Sequence, residues 1–594
     1  AAVPSATTFT YVYSAPAPLA SGSSGTVTKS NGNLATLLKW IRGQDTQDEN
    51  GFKVNGADTD VRASIHGDVL HSRPVVLNFG RIGSSDNVYV FYGGNDGVFR
   101  AVKGGQASTD GKEQWAFIPQ EFFGKFKRLF DNTPPVLYPS TPASLTPTPA
   151  GTCDPTTTAC ATKRGYLWDG PVGSYVERNA AGDVTRAYLY LAARRGGRFL
   201  YALDVTTPTS PKFLWKKGCT AAGVCDSGFA ELGQTWSQAQ VVRVEASEAG
   251  GNPVVMLGAG YDAVSEDTDP PAATDTVGRG VLVLNAFTGA LIWSAGNSAN
   301  SPTVAVSGMN FSVAADVLPL DRRQTGFIDR VYAADVGGNL WRLDVGGTTT
   351  ANWRVWKIAS IANRSVAADR RKFLFGPDAV FGEAGTFDAI VIGTGDREHP
   401  LNADAASGVV NRAYMFVDPN TGGAGADLNI TESNLFDATN SSSVDLTNPS
   451  IKGWYVTLKA GEKVVNGPIV VASKFIFGTN QPCASGKLDA SGNCTTGTAS
   501  SLSCTGNLGI ARRYDINYLT GAAEDFTDST GASVRSEVAP GGGFLPSPTA
   551  GLVEISGKAY VFVTDNPLNI GGVINPGITA PTKRFRTYWR EVLE

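Results

Sequence analysis

Short apolar segments recur along the chain, each followed by a turn of glycine, aspartate or asparagine and then by a second apolar segment. This pattern is typical of β-hairpins. Turn pairs such as Asp96-Gly97 and Gly337-Gly338 supply the positive φ angle that tight hairpin turns require. Clear copies of the unit occupy Val88–Ala101, Tyr188–Asp204 and Val331–Asp344, and weaker copies begin near Val254, Ala389, Lys474 and Ala559.

Further strand candidates flank several of these hairpins. Stretches such as Ser72–Val76 and Asn466–Val471 precede a hairpin, and strands with a tryptophan as their marker follow it, at Trp115, Trp215 and Trp293. Four strands per unit correspond to one blade of a β-propeller. Seven units of one kind indicate a closed ring or a solenoid, and the many insertions favour the ring. The sequence therefore predicts an all-β fold, a seven-bladed β-propeller with long loop insertions.

The spacing between copies exceeds the roughly 40–50 residues of a bare four-stranded blade. We expect the excess in loops on the propeller faces, where polar segments belong. The longest insertions are rich in serine, threonine, asparagine, aspartate and proline: Thr133–Arg164, Asp262–Val277, Leu401–Asn411, Thr421–Lys452 and Pro482–Asn507.

Residues 1–60 do not repeat this pattern. A polar segment is followed by one helix candidate, Leu34–Arg42, whose apolar residues fall at helical spacing. We interpret residues 1–60 as an N-terminal extension or the remnant of an N-terminal domain, and residues 61–594 as the propeller. The opening segment Ala1–Pro4 lacks the basic and apolar regions of a signal peptide, which indicates a mature product or a fragment of a longer protein.

Composition excludes several classes of protein. Hydrophobic residues make up 42% of the chain and charged residues 18%, which is typical of a globular protein. The net charge of −4, without a basic stripe, argues against nucleic acid as a partner. We also expect no transmembrane segment, because no apolar run reaches the length of a membrane-spanning helix.

Seven cysteines lie in three local groups, each around a short polar loop. None forms the C-x-x-C pair of a typical zinc site, and histidines are too few to complete one. We predict short disulfides between Cys153 and Cys160 and between Cys219 and Cys225. Cys483 and Cys494 are candidates for a third, although pairing with Cys504 stays open. Disulfides imply an oxidising compartment.

Several motifs, taken together and in this order, resemble the PilC/PilY family, the large tip proteins of type IV pili. They run from about residue 61 to the C-terminus, and their members are Ile65–Val76, Gly94–Gly97, Glu113–Pro119, Gly258–Asp262, Gly393–Leu401 and Trp589–Glu591.

The resemblance implies a C-terminal seven-bladed propeller of the quinoprotein type. It also implies a location at the pilus tip or the outer surface of the cell, reached by export through the periplasm. The expected partners are minor pilins, the pilus tip complex and a receptor on a host or abiotic surface.

One loop carries the metal site that the resemblance implies, a calcium loop similar to an EF-hand. Its ligands would be Asp321, Thr325, the carbonyl of Phe327, and Asp329. The third ligand position holds Arg323, which has no lone pair to offer and brings a positive charge. We therefore expect a loop without calcium, in which Arg323 or Arg322 holds the two aspartates, and we expect no cofactor.

Other candidate groups have a simpler interpretation. The acidic segment Asp262–Asp275 could bind a cation, but a solvated acidic loop is favoured. Asp396-Arg397-Glu398 could contain a catalytic dyad, but an ion-pair network between blades is favoured. A metal site at His66 and His71 is weighed against hydrogen-bonded structural histidines, including His399, and the latter are favoured. Four tryptophans are expected in the core between blades: Trp115, Trp215, Trp293 and Trp341.

The motifs of the common hydrolases, metalloproteases and nucleotide-binding enzymes are absent from the sequence. The resemblance therefore favours a type IV pilus tip adhesin and pilus assembly factor, a binding protein and not an enzyme. One alternative is a propeller oxidoreductase that uses pyrroloquinoline quinone, although the chain lacks the adjacent cysteines that many such enzymes use. The other alternative is a periplasmic scaffold propeller.

Overall fold

The computed structural model divides the chain into two compact units, residues 1–226 and residues 227–594. The structure describes residues 34–49, 61–81, 87–108, 110–132, 164–382, 385–399, 408–422, 425–441, 444–483, 508–528, 530–540 and 542–555, together with 8–12, 24–28, 136, 146–147, 160–161 and 558–564.

The described part of unit 1 (residues 1–226) contains two four-stranded antiparallel sheets, two short strand pairs and two α-helices. Its first elements are β1 (Thr8–Val12), β2 (Ser24–Thr28) and α1 (Leu34–Ile41). Sheet 1 consists of β3 (Val75–Asn78), β4 (Val88–Gly93), β5 (Phe99–Lys103) and β6 (Glu113–Phe117). Then come α2 (Phe123–Asp131), β7 (Thr146–Pro147) and β8 (Cys160–Ala161). Sheet 2 consists of β9 (Val172–Arg178), β10 (Val184–Ala192), β11 (Phe199–Asp204) and β12 (Lys212–Gly218).

Unit 2 (residues 227–594) begins with two sheets of the same kind. Sheet 3 consists of β13 (Gln240–Val242), β14 (Val254–Gly258), β15 (Gly280–Asn285), β16 (Leu291–Gly296) and β17 (Val304–Ala305), with α3 (Ala263–Glu266) after β14. Sheet 4 consists of β18 (Leu318–Leu320), β19 (Arg330–Ala334), β20 (Asn339–Asp344) and β21 (Arg354–Ser360).

Two larger sheets and two strand pairs follow in unit 2. Sheet 5 consists of β22 (Asp378–Phe381), β23 (Asp388–Gly393), β24 (Arg412–Asp418), β25 (Phe436–Asp437) and β26 (Gly453–Thr457). Sheet 6 consists of β27 (Lys463–Val464), β28 (Ile469–Val471), β29 (Lys474–Gln481), β30 (Ile510–Asn517) and, after the pair β31 (Phe526–Thr527) and β32 (Ser533–Val534), β33 (Ser536–Val538). The last pair is β34 (Thr549–Ile555) and β35 (Lys558–Thr564).

The predicted hairpin units correspond to real strand pairs. Six of them are the pairs β4–β5, β10–β11, β14–β15, β19–β20, β23–β24 and β29–β30, one in each of sheets 1 to 6. The weak copy near Ala559 lies on β35. The expected turn glycines have positive φ, +87° at Gly97 and +79° at Gly338. The helix expected at Leu34–Arg42 is α1, which ends one residue earlier. The count of seven blades, the closing of the units into one ring and the domain boundary at residue 61 stay predictions.

The tryptophan motif of the sequence marks a β-bulge. In sheets 1, 2 and 3 the tryptophan of the last long strand lies opposite a residue of the preceding strand, and the residue just before it is skipped in the register. A bulge turns the following side chain and bends the strand. Trp215 and Trp293 are buried as expected, as is Trp341 on β20, whereas Trp115 is only partly buried.

In sheets 1 and 3, a serine that precedes the first strand fixes the end of the second strand by a hydrogen bond. The Gly93 N–H donates to Ser72 Oγ at 2.9 Å in sheet 1, and the Gly258 N–H donates to Ser237 Oγ at 3.0 Å in sheet 3. These donors are buried, so an unpaired N–H here would be costly. The repeat is therefore one of hydrogen bonding as well as of hydrophobic pattern.

The core lies between successive sheets. One cluster joins sheets 1 and 2, and three others join sheets 3 and 4, sheets 4 and 5, and sheets 5 and 6. Between sheets 3 and 4 the rings of Trp293 and Trp353 meet edge to face, with centroids 5.2 Å apart. Face-to-face packing of successive small sheets is what a propeller requires. No helix in the described part of the chain is both long and apolar enough to cross a bilayer.

A buried ion network joins sheets 4 and 5. Asp388 on β23 accepts from Arg330 Nη1 at 2.6 Å and from Arg322 Nε at 2.9 Å. Asp418 on β24 accepts from Arg342 Nη1, with both carboxylate oxygens at 2.8 Å. Both aspartates are fully buried, so each needs its guanidinium partner to offset the loss of water.

We expect Asp388→Asn to lower the free energy of unfolding of unit 2 by about 3–5 kcal/mol, because two guanidinium groups then lose their buried counter-charge. Urea unfolding followed by tryptophan fluorescence measures this change. Asp445→Asn is the matched control, since that carboxylate is exposed and bonds within its own turn. A loss no larger in Asp388→Asn than in the control would contradict the importance of the network.

Candidate functional site

Three loops of unit 2 meet outside the strand ends of sheets 3, 4 and 5. They are the β14–β15 loop (259–279), the β21–β22 connector (361–377) and the described parts of the β23–β24 loop (394–399 and 408–411). Both β14 and β23 end in a glycine: the backbone of Val313 approaches Gly258, and the side chain of Val464 approaches Gly393, too closely for a Cβ atom. The loops therefore leave the sheets at fixed points, and their charged side chains come together.

Asp262 closes the base of the β14–β15 loop. As the N-cap of α3 it accepts from the Val264 N–H at 3.1 Å and from Ser265 Oγ at 2.8 Å. It also accepts from the backbone and the hydroxyl of Thr276 at 2.7 Å each, which joins the two ends of the loop. Burial alone would raise the pKa of Asp262, but the hydrogen bonds from Thr276 and Ser265 lower it.

Glu266, at the end of α3, is fully buried and has two cationic partners from the β21–β22 connector. Arg364 Nη2 lies 2.5 Å from Glu266 Oε1, and Lys372 Nζ lies 2.8 Å from Oε2. Hydrogen-bonded pairs of this kind are the form in which a carboxylate can be buried. Glu266 thus attaches the β14–β15 loop of sheet 3 to the connector that enters sheet 5.

Lys372 continues the network into the β23–β24 loop. Its Nζ atom lies 2.8 Å from Asp396 Oδ2, and the same oxygen lies 2.8 Å from His399 Nδ1. Burial would lower the pKa of Lys372, but Asp396 and Glu266 outweigh it and raise that pKa. Burial likewise opposes the charge on Asp396, yet Lys372 and His399 hold the pKa of Asp396 well below its usual range. Lys372 and Asp396 are therefore both charged at neutral pH.

A cavity of about 110 Å³ lies where the three loops meet. Asp267, Asp269 and Pro271 of the first loop form one side of it. Lys372 of the connector and His399 of the third loop line the cavity as well. The other lining residues are Thr268, Arg370, Asp396, Val409 and Asn411. Charged side chains of both signs therefore line this cavity.

Asp275, near the end of the same loop, is a buried carboxylic acid. Its Oδ2 atom accepts from the Ser312 N–H at 2.6 Å, while Oδ1 has no hydrogen-bond partner in the described structure. Burial, together with the nearby carboxylate of Glu266, raises the pKa of Asp275 to about 8. Asp275 is therefore protonated at neutral pH, in contrast to the ionised Asp396.

The acidic segment Asp262–Asp275 is thus only in part the solvated loop that the sequence favoured. Asp267 and Asp269 are exposed, whereas Asp262, Glu266 and Asp275 are buried, with exposures of 2%, 0% and 2%. The cations that pair with Glu266 come from Arg364 and Lys372, about a hundred residues further along the chain, and spacing within the loop cannot show them. No group of three or more metal-ligating side chains suited to a metal occurs among the described residues.

The three histidines are hydrogen-bonded, as predicted. His71 Nδ1 lies 2.9 Å from Asp169 Oδ1, and Arg194 Nη1 lies 3.2 Å from the other oxygen of that carboxylate. The ring of His66 stacks on that of Tyr92, with centroids 5.9 Å apart, and the Tyr92 hydroxyl lies 3.4 Å from His66 Nε2. His399 bonds Asp396, whose part in the ion pairs matches the network expected at Asp396-Arg397-Glu398.

The predicted metal loop precedes β19. Asp321 is buried, and its two oxygens accept from the Thr325 N–H at 2.9 Å and the Gly326 N–H at 2.6 Å. Asp329 Oδ1 accepts from the Arg322 N–H at 2.8 Å, and its Oδ2 accepts from Arg323 Nε at 2.8 Å. Every carboxylate oxygen of the two aspartates therefore has an N–H donor from within the loop.

Comparison with known proteins agrees with this architecture. The family model described as PilY1 beta-propeller domain matches residues 156–392. The crystal structure of the Pseudomonas aeruginosa PilY1 C-terminal domain superposes with a TM-score of 0.53 at 19% identity, over 81% of this chain and 93% of that one. The fold is accordingly all-β and propeller-like.

Two curated relatives extend the match beyond the fold. A type IV pilus biogenesis factor PilY1 homolog of Xylella fastidiosa is 25% identical over 353 residues, 55% of this chain. The type IV pilus biogenesis factor PilY1 of Pseudomonas aeruginosa is 24% identical over 319 residues, 49% of this chain. Each alignment spans 22% of the relative's own length. Over the matched residues this chain is similar to the PilY1 proteins.

The loop Asp321–Asp329 is the one in which the resemblance implies calcium. Calcium needs six to eight oxygen ligands, and here the third ligand position holds the cation Arg323 instead of an oxygen. Arg323 Nη2 also reaches Glu245 Oε2 at 3.1 Å, so the guanidinium bridges two carboxylates where a dication would stand. Arg322 instead bonds Asp388, which places this loop against the buried network of sheets 4 and 5.

The disulfide predicted between Cys219 and Cys225 is present, with an S–S distance of 2.09 Å. It closes the turn after β12 of sheet 2. Cys483 is buried and also disulfide-bonded. Cys153, Cys494 and Cys504 lie outside the described residues, and of Cys160 only the strand is described.

Lys372, Arg364 and Tyr261 are residues of the cavity network that the sequence did not single out. Tyr261 donates to Asp267 Oδ1 at 2.9 Å, and its ring stacks on Trp236 with centroids 3.8 Å apart. The sequence does contain one indication of this network, because the run Arg370–Lys372 is basic and the segment Asp262–Asp275 is acidic. Nothing in the sequence shows that the two meet.

For the loop Asp321–Asp329 we expect a chelator to leave the midpoint of thermal unfolding unchanged, because Arg323 supplies the counter-charge. Arg323→Asp should make calcium stabilising, by about 2.7 kcal/mol at a concentration one hundred times Kd. Thermal unfolding with and without calcium measures both. Arg323→Met is the control, since it removes the guanidinium without adding an oxygen ligand. Calcium binding to the unsubstituted protein that disappears in Asp329→Ala would show the prediction to be wrong.

Asp275 should make stability depend on pH. The folded protein keeps the proton of Asp275 up to about pH 8, whereas an unfolded aspartate releases it near 3.8. Between these values the folded state binds more protons, so this residue's contribution to stability falls as pH rises. We expect Asp275→Asn to flatten that slope and to be more stable than the unsubstituted protein above about pH 8, as measured by urea unfolding across this range. An unchanged slope would refute the assignment.

Proposed function

We propose that this chain is the propeller part of a type IV pilus tip adhesin and pilus assembly factor, which acts by binding and not by catalysis. The observation that carries the proposal is the match of the PilY1 beta-propeller model to residues 156–392, together with relatives named as type IV pilus biogenesis factors. The proposed partners are minor pilins and the pilus tip complex, with a receptor on a host or abiotic surface.

The proposed location is the pilus tip or the outer surface of the cell, reached through the periplasm. The disulfide between Cys219 and Cys225 supports this location, because structural disulfides persist in oxidising compartments. Its short loop in the turn after β12 has no evident redox role. A cytoplasmic protein would seldom keep such a bond.

A binding role also agrees with the electrostatics of the loop site. A general base or nucleophile needs a pKa poised near the working pH and a free approach to substrate. Lys372, Asp396 and Glu266 are instead neutralised by one another at 2.8 Å, and the pKa values of the first two move away from neutrality. The site resembles a structural tie between loops more than a catalytic centre.

Deletion of the gene tests the proposal in the source bacterium. We expect fewer surface pili by electron microscopy and weaker attachment to surfaces, both restored by the gene on a plasmid. A plasmid encoding the Arg81→Gln variant is the matched control, because that exposed side chain pairs with an exposed aspartate. Unchanged pili and unchanged attachment in the deletion strain would contradict the proposal.

A binding assay tests the proposed partners independently of the proposed location. We expect the purified chain to co-elute with minor pilins in size-exclusion chromatography. If the deletion strain has normal pili but no longer attaches, the adhesin role stands and the assembly role is wrong. An absorbance change on adding pyrroloquinoline quinone, with alcohol oxidation, would replace the whole proposal with an oxidoreductase.

A further inference from the structure

His399 lies between two carboxylates that belong to different loops. Its Nδ1 atom is 2.8 Å from Asp396 Oδ2, within its own β23–β24 loop. On the other side of the ring, Nε2 is 3.7 Å from Asp267 Oδ1, on the β14–β15 loop. One imidazole thus spans the gap between the loops of sheets 3 and 5, at the edge of the 110 Å³ cavity.

The other charged groups around this ring come from the β21–β22 connector, the β14–β15 loop and β27. Lys372 of the β21–β22 connector shares Asp396 with it, and Arg370 of the same connector and Asp269 of the β14–β15 loop line the cavity. Lys463 of β27 donates to the backbone carbonyl of His399 at 2.9 Å. The hydrogen bond from Asp396 is the largest influence and raises the pKa of His399, against burial and against Lys372. The two carboxylates on either side of the ring therefore outweigh the cations.

The rest of the β14–β15 loop is fixed independently of this contact. Asp262 joins its two ends through Thr276, and Glu266 is bound to Arg364 and Lys372. The arginine and lysine keep their charge across the physiological range. Between these two fixed points lies the short segment 267–271, which forms one wall of the cavity and faces His399. Asp267 also accepts from the Tyr261 hydroxyl at 2.9 Å, so the charged imidazole adds to a hydrogen bond that persists when the imidazole is neutral.

We propose that His399 is a pH-dependent latch, which holds segment 267–271 of the β14–β15 loop against the β23–β24 loop when the imidazole is charged and releases that wall of the cavity when the imidazole is neutral.

The direction follows from proton linkage. Only the charged imidazole attracts Asp267, and only the charged form can donate from both ring nitrogens. The closed arrangement binds the proton more tightly than the open one, so it is favoured at low pH and weakens as pH rises through the raised pKa of His399. Asp275, with its pKa of about 8, loses its proton in a neighbouring range and needs its own control.

The sequence makes a direct test simple, because it contains three histidines. In the full chain labelled with ¹⁵N-histidine, His399 is assigned by its loss in His399→Gln. We expect its pKa to lie above the ordinary 6.5 and that of His66 to lie below it. Asp267→Asn should lower the pKa of His399 towards the ordinary value, because it removes one of the two flanking charges.

Hydrogen exchange reports whether the wall moves. After correction for the intrinsic rate, protection of amides in segment 267–271 should fall severalfold, up to about tenfold for each pKa unit of coupling, as pH rises through the His399 transition. His399→Gln, which can still donate to Asp396, should give the low protection at every pH. His66→Gln is the matched control and should behave as the unsubstituted protein. Asp275→Asn should keep the transition.

Two outcomes would overturn the latch. One is protection of segment 267–271 that does not change with pH while the His399 resonance titrates. The other is a pH dependence that survives in His399→Gln and is lost in Asp275→Asn, which would assign the effect to the buried acid. Either result would leave the proposed pilus function untouched, since neither measurement depends on pili.

Discussion

The packing of unit 2 depends on carboxylates that are buried between its sheets and on the cations that neutralise them. The sheets bury their apolar faces against one another. The facing strands carry charged side chains as well as apolar ones: Asp388 and Asp418 of sheet 5 face Arg330 and Arg342 of sheet 4. An unpaired charge at such a place would cost more than the apolar contacts around it gain. These ion pairs thereby fix how sheets 4 and 5 are aligned against each other. Burial of apolar area alone would tolerate several alignments.

The same rule extends from the sheets into the loops. Glu266 and Asp396 stand outside the strand ends, yet they are paired with Arg364 and Lys372 as closely as the aspartates of the sheet interface are with their arginines. The connector between sheets 4 and 5 thus neutralises loops of sheets 3 and 5. Such ties hold long insertions in one arrangement, which is what a binding surface needs if its affinity is not to be spent on ordering loops.

Much of the fold could be predicted from the sequence because hairpins are local. The units that begin at Val88, Tyr188 and Val331 carry their turn residues and their alternation within about fifteen positions, and each is a strand pair in the structure. The tryptophan strands were also visible, although not the bulge beside each tryptophan, which depends on the register of two strands. The site could be predicted only in part. Asp396 and the acidic segment were singled out, but Arg364 and Lys372, the partners of Glu266, lie about a hundred residues further along, and burial by a distant connector leaves no mark on local composition.

Arg323 and His399 show how side chains can take the place of bound ions. A guanidinium in the loop Asp321–Asp329 keeps two carboxylates, Asp329 and Glu245, neutralised at all physiological pH values and independently of the supply of metal. Lysine and arginine play the same constant part at Glu266. At Asp267 the counter-charge is an imidazole, which can lose its charge near neutral pH. Among these contacts, the one between His399 and Asp267 is therefore the contact at which a change in external pH alters the loop surface without a metal or a second protein.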